Sequence, residues 1–111
     1  MIARSMAAWM AALTLAIAVP GDAARGAAAV HTVVIEGMRF IPETLELRAG
    51  DTVVWRNRDP FPHTATAGSK GGPASPAIAA GASWSFKAAQ RGRYPYLCTL
   101  HRTMRATLVI R

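Results

Sequence analysis

YLCTLHRTM, residues 96–104, holds the only cysteine of the chain, one of its three histidines and one of its five methionines. Cys98, His101 and Met104 follow one another at intervals of three, a C-x2-H-x2-M arrangement. Singly, each has an ordinary explanation: a lone cysteine is commonly a small buried hydrophobe, and a methionine fills irregular core space. Together, a thiolate, an imidazole and a thioether on one tight loop can turn toward a single point. A second imidazole has to come from a different loop. His63 is the candidate, in NRDPFPHT, residues 57–64, where Pro60, Phe61 and Pro62 stiffen the chain and keep it apolar.

A thiolate, two imidazoles and a weak axial thioether form the donor set of a blue-copper electron-transfer site. Copper(I) favours soft sulfur and few ligands, whereas copper(II) favours nitrogen and more of them. A site set between those preferences lets one electron come and go with little movement. Zinc is the alternative metal, but thioether is a poor zinc ligand and closed structural zinc sites use several cysteines. A nucleophilic Cys/His pair is a further alternative; it leaves Met104 and the second histidine unexplained. His31, the remaining histidine, reads as an ordinary strand residue with no partner in view.

Outward from this stretch, the chain alternates apolar and polar residues in short runs between turn signals. VHTVVIE (30–36), TLELR (44–48), TVVWRN (52–57), SWSFK (83–87), RYPYLC (93–98) and ATLVIR (106–111) read as strands. In each, one side collects the large apolar residues: Leu45 with Leu47, Val53 with Trp55, Trp84 with Phe86, Tyr94 with Tyr96 and Cys98, Leu108 with Ile110. Period-two alternation between Gly/Pro turns predicts an all-β sandwich or barrel. The Gly/Pro/Ala/Ser-rich segment 65–82 reads as a loop on the sandwich edge, with room for one weak strand.

The first twenty-nine residues have a different character. Arg4 precedes an uncharged apolar run over residues 6–19, Pro20-Gly21 breaks it, and small residues follow. That is the layout of a secretory signal peptide, with cleavage expected after residue 23 or 29. The run falls short of the roughly 20 apolar residues a membrane span needs. Residues 30–111 then form one exported domain with no membrane attachment, expected in the periplasm. Residues 1–29 carry two of the 13 basic and one of the 6 acidic residues, so the domain keeps a net charge of +6. A core this small supplies about 3–5 kcal/mol and calls for a staple. Exported domains usually use disulfides, which one cysteine cannot form within the chain, so a bound metal is the next candidate.

Motifs over nearly the whole domain carry a family resemblance. They are M-x-F-x-P (Met38, Phe40, Pro42), AGDTVVW (49–55), N-x-D-x-x-P-H (57–63) and G-x-Y-x-Y-x-C-T-x-H-x-x-M (92–104). With them the chain resembles the small cupredoxins of the plastocyanin, pseudoazurin and amicyanin group, and its ligand-loop spacing is most similar to amicyanin. The resemblance implies a two-sheet Greek-key β-sandwich with one type 1 copper at one end. His63, Cys98 and His101 would be equatorial ligands and Met104 the axial one. Thr64 stands where many members carry an asparagine that ties the ligand loops together. Leu100 and Arg102 flank His101 where prolines are common, and Ala106 replaces a frequent glycine.

The function expected is that of a soluble, monomeric electron carrier, not an enzyme, cycling copper between two oxidation states. A catalytic second copper needs more histidines than His31 supplies. Copper handling is the alternative, separable by an intense blue absorption and a reversible redox couple. Electrons would cross an apolar patch around His101 formed by Leu100, Pro60, Phe61, Pro62 and Met38. Arginines 56, 58, 102 and 105 near these motifs fit an acidic docking face on a redox partner, such as a c-type cytochrome or a dehydrogenase. Dispersed charge on an exported chain does not suit nucleic acid.

Overall fold

The alternating runs become strands whose apolar sides meet. The structure, a computed structural model, describes residues 26–111; the expected export signal, residues 1–29, lies outside the described residues except for its last four. Eight strands follow in chain order: β1 (Val30–Ile35), β2 (Phe40–Ile41), β3 (Thr44–Leu47), β4 (Thr52–Asn57), β5 (Thr66–Ala67), β6 (Ser83–Lys87), β7 (Gly92–Cys98) and β8 (His101–Ile110). They form two four-stranded sheets, one in the order β2-β1-β4-β6 and the other in the order β3-β8-β7-β5. Among the described residues there is no helix, and the all-β, two-sheet expectation holds.

The chain changes sheet repeatedly, and that makes the pairing mixed. Between β1 and β4 it visits the other sheet as β3, so β4 returns parallel to β1. For the same reason β3 and β8 lie parallel, with Leu45 beside Leu108 and Leu47 beside Ile110. The pairs β1/β2, β4/β6, β5/β7 and β7/β8 are antiparallel.

Val33, Ile35, Val53 and Trp55 from one sheet and Tyr94, Tyr96, Cys98, Leu108 and Ile110 from the other are buried between the layers. Trp55 is the centre of this core. Its ring lies 5.6 Å from that of Tyr96, edge to face, and its Nε1–H donates to the Tyr96 hydroxyl at 3.2 Å. Burial would otherwise orphan both polar atoms, and each satisfies the other. Burial also pushes the Tyr96 phenol pKa up.

One strand, β2, is additional to the sequence reading. Phe40–Ile41 forms the short β2, pairing with β1. Thr66–Ala67 forms β5, the weak strand for which the 65–82 segment left room. The last strand also starts five residues early, at His101 rather than residue 106, because the ligand loop is itself a hairpin.

At the pole of the Ala49-Gly50-Asp51 turn, Gly50 takes φ 100°, which a side chain would strain. Asp51 accepts hydrogen bonds from the amides of Ala29 (2.9 Å) and Arg48 (3.0 Å), and its other contact is His31 Nε2 at 3.0 Å. So His31 has a partner after all. It lies on β1 as expected, but long-range pairing with the turn was not legible in its neighbours. The Ala29 amide first, then His31 and the Arg48 amide, hold the Asp51 carboxyl at about 2. A depressed carboxyl stabilises the fold above its ordinary value of 3.8, and that contribution drains as the pH falls through about 2. Acid unfolding of Asp51→Asn, followed by circular dichroism, is expected to lack this part of the pH dependence; a profile identical to the unmodified protein would refute the role.

Candidate metal centre

His63, Cys98 and His101 come together at one end of the sandwich, with a ligand atom of each within 4.8 Å of the others. Cys98 Sγ lies 3.6 Å from His63 Nδ1 and 3.9 Å from His101 Nδ1. The two imidazole centroids are 5.1 Å apart. Cys98 and His63 are fully buried, whereas His101 is half-buried at the rim. Both imidazoles thus turn Nδ1 toward the sulfur.

The hairpin between β7 and β8 sets two of these positions. Cys98 pairs with His101 across a two-residue turn, Thr99-Leu100, and the next pair is Leu97 with Arg105. Residues 102–104 are therefore extra on β8, a bulge that bends the strand and re-aims its side chains. Met104 sits in this bulge with only 3% of its surface exposed. The C-x2-H-x2-M spacing follows from that geometry: a tight turn separates the first two residues and a bulge the last two.

His63 reaches the same point from the connection between β4 and β5, which Asn57 shapes. The Asn57 amide donates to Phe61 O (2.7 Å) and Ile78 O (2.9 Å), and its oxygen accepts from Asp59 N (2.9 Å). The 65–82 segment clasps this loop: His63 and Ile78 exchange backbone hydrogen bonds, and Ser75 does the same for Ala65 through N–H and hydroxyl. A stretch that reads as loose in sequence is thereby a brace for the buried histidine.

Asp59 orients the ring of His63. Its Oδ2 lies 2.8 Å from His63 Nε2, and the carboxylate also accepts from the amides of Gly37 (2.7 Å) and Met38 (3.0 Å). Met38 has a left-handed φ of 62°, and this carboxylate holds that turn in place. Burial alone would raise the Asp59 pKa, but bonds from Met38, Gly37 and His63 outweigh it and hold the carboxyl below its usual value. An ionised Asp59 only accepts, so the His63 proton belongs on Nε2 and the Nδ1 lone pair faces the cluster. A carboxylate behind an imidazole is the usual way a ligand histidine has its tautomer set.

Thr64 ties the two ligand segments together. Its amide donates to Cys98 Sγ at 3.3 Å. Its hydroxyl oxygen accepts from Thr99 N (2.9 Å) and Thr66 Oγ1 (3.1 Å). With both acceptor positions used, its own proton points to Thr99 Oγ1 at 3.0 Å. The threonine thus makes the link between the ligand loops that the resemblance assigns to an asparagine.

Around the rim, Phe61 and Leu100 are about half exposed, at 48% and 51%. The Phe61 ring lies 6.5 Å from that of His101. Pro60 and Pro62 are exposed beside them, Met38 is half-buried, and Arg58 and Arg102 are exposed next to the two ligand segments. Sequence reasoning singled out the four donors and Thr64 but not Asp59 or Asn57 as their supports. Their place inside the N-x-D-x-x-P-H motif was the available signal.

Asp59→Asn would set an amide donor against donors already aimed at that side chain. A loss of about 2–3 kcal/mol is expected, read from the denaturant midpoint, with a changed His63 ring-nitrogen signature by NMR. An unchanged midpoint and tautomer would refute this support.

Comparison with known proteins agrees with this geometry. Residues 5–110 match the family model described as a cupredoxin-like domain. Amicyanin of Paracoccus denitrificans is 34% identical over 95 residues, covering 82% of this chain and 72% of the relative. Amicyanin-alpha of Methylorubrum extorquens is 28% identical over 114 residues, covering 97% and 94%. Among solved structures, a copper(I) form of an amicyanin variant superposes with a TM-score of 0.69 at 31% identity, over 80% of this chain and 89% of that one. A copper-containing nitrite reductase from Thermus scotoductus gives 0.67 at 27% identity, but 73% of this chain spans only 22% of that enzyme. Its sheets, its paired ligand loops and its amicyanin relatives make this chain a member of the cupredoxin family.

Proposed function

We propose that this domain is an electron carrier that holds one copper ion between His63, Cys98, His101 and Met104. The observation that carries the reading is the convergence of one sulfur and two Nδ1 atoms on a single point, two of the three donors being fully buried. The donor set fits copper: a soft thiolate, two imidazoles that turn Nδ1 toward the sulfur, and a buried thioether on the adjacent bulge. Copper in such a site supplies a one-electron couple between its two oxidation states.

The protein's own groups do the rest. Asp59 fixes one imidazole, Thr64 N–H places a dipole on the sulfur, and the core around Cys98 excludes water. Because these groups are held by the fold before any metal arrives, little has to rearrange when charge changes, which favours fast exchange. Rigid, buried donors likewise favour a carrier over a protein that hands copper on. His31, the histidine left over, is occupied with Asp51, so we read the chain as a carrier and not as an enzyme.

Electrons would enter and leave at the His101 rim. Phe61, Leu100, Pro60 and Pro62 offer an apolar contact, and Arg58 and Arg102 flank it. A redox partner with an acidic docking face, a c-type cytochrome or a dehydrogenase, fits that surface. The reaction rate with such a partner should then fall as salt is added. Export by the signal in residues 1–29, with cleavage after residue 23 or 29, would place the carrier in the periplasm as a monomer.

Copper-loaded protein should show an intense thiolate-to-copper absorption in the visible, and Cys98→Ser should abolish it; a colour that survives the substitution rejects the assignment. Copper should also raise the melting temperature. At a free-metal concentration of 100 times the Kd, linkage contributes about 2.7 kcal/mol. A midpoint indifferent to copper would count against the site.

A further inference from the structure

The rings that join the two sheets also make a continuous path from the cysteine strand to a sheet edge. Tyr96 lies two residues before Cys98 on the same inward side of β7, and both are buried. Its ring is 5.6 Å from Trp55, and the Trp55 N–H donates to its hydroxyl. Trp55 lies opposite Trp84 in the β4/β6 register, with ring centroids 5.6 Å apart. Trp84 is half-buried on β6, the outermost strand of its sheet, and so reaches solvent. Phe40, 4.8 Å from Tyr96, and Phe86, 6.3 Å from Trp84, pack along the path. Their rings are hard to oxidise and serve as walls.

We infer that Trp84, Trp55 and Tyr96 conduct single electrons between the Cys98 centre and the β6 edge, giving the protein a second electron port away from the His101 rim. The expected user is a one-electron outer-sphere oxidant that meets Trp84. It takes one electron from the indole of Trp84, Trp55 refills Trp84, and the Cys98 end refills Trp55 across the Tyr96 contact. No bond breaks along the relay. An indole can hold the missing electron as a radical cation as long as no base removes its proton. The Trp55 N–H faces only a phenol oxygen, a weak base. The charge therefore passes through instead of being trapped by proton loss.

This inference rests on Cys98 being the redox end of the site, but its test needs no copper. In metal-free protein the electrons come from the Cys98 sulfur: the first leaves as the S–H bond breaks and its proton passes to His63 Nδ1, 3.6 Å away. A second ruthenium(III) oxidises the sulfur radical and water adds with loss of a proton to give sulfenic acid; two more ruthenium(III) and a second water give sulfinic acid, each ruthenium(III) ending as ruthenium(II). Cys98 is fully buried, so a bulky oxidant cannot touch it. Metal-free full-length protein in aerated buffer is exposed to a photogenerated ruthenium(III) polypyridyl complex, and Cys98 oxidation is mapped by peptide mass spectrometry. Cys98 sulfinic and sulfonic acid should form in the unmodified protein and fall severalfold in Trp84→Phe. Trp84→Tyr, which restores an oxidisable ring, should recover most of the yield. Thermal midpoints of the variants confirm that they fold. Equal yields in Trp84→Phe and the unmodified protein, equally low yields in the Phe and Tyr variants, or no Cys98 oxidation at all would each overturn the path. None of these outcomes depends on whether the protein turns blue with copper.

Discussion

Thr64 joins two chain segments that are 35 residues apart, and the site depends on that junction. Its amide faces the Cys98 sulfur, its hydroxyl closes a small circuit with Thr66 and Thr99, and its neighbour His63 is carried into place with it. The strands that adjoin these segments, β5 and β7, pair in one sheet. That pairing alone does not fix the distance between the sulfur and the imidazole. A side chain that both donates and accepts can set that distance, because it has polar partners on both loops at once. The hydroxyl is short, so the loops approach closely.

Behind this junction lies a second layer of polar support, and its placement has an electrostatic logic. Asn57 and Asp59 are buried, a position in which an unpaired polar group is costly. Both are fully engaged, Asn57 with carbonyls across the loop and Asp59 with two amides and a histidine. They turn a proline-rich connection into a rigid arm. The same carboxylate that selects the His63 tautomer also holds the strained Met38 turn, so the rim of the site and its interior ligand share a support. On the opposite pole, Asp51 does a comparable job for a β-turn and His31. Carboxylates that gather amides and an imidazole thus occur at both ends of the sandwich, but only one faces a cluster of donors.

Much of the fold could be read from alternation. Strands 52–57 and 83–87 have the boundaries their patterns suggest, because both lie on a half-buried sheet where period two is enforced. Short strands were harder to read: β2 escaped, and β5 was legible only as room for one weak strand, because two residues are too few to carry a period and both exist through the partners that longer neighbours offer. β8 began earlier than its pattern because Arg102, Thr103 and Met104 sit in a bulge that interrupts alternation. Segment 65–82 read as a loop, since its order comes largely from backbone bonds to the His63 loop, helped by the Ser75 hydroxyl, and not from an alternating pattern.

The residue types alone determined which chemistry was available: one thiol, two histidines beyond His31, a methionine at the right interval, and too few donors for anything larger. They also determined the fold class, since alternation and turn residues are local properties. Only the tertiary structure decided that His63 Nδ1 would face the sulfur, that Thr64 could replace an asparagine, and that Trp84 would stand against Trp55. These are contacts between residues tens of positions apart. They arise from how two sheets stack and how loops brace each other, and no local pattern encodes a distance across a sandwich.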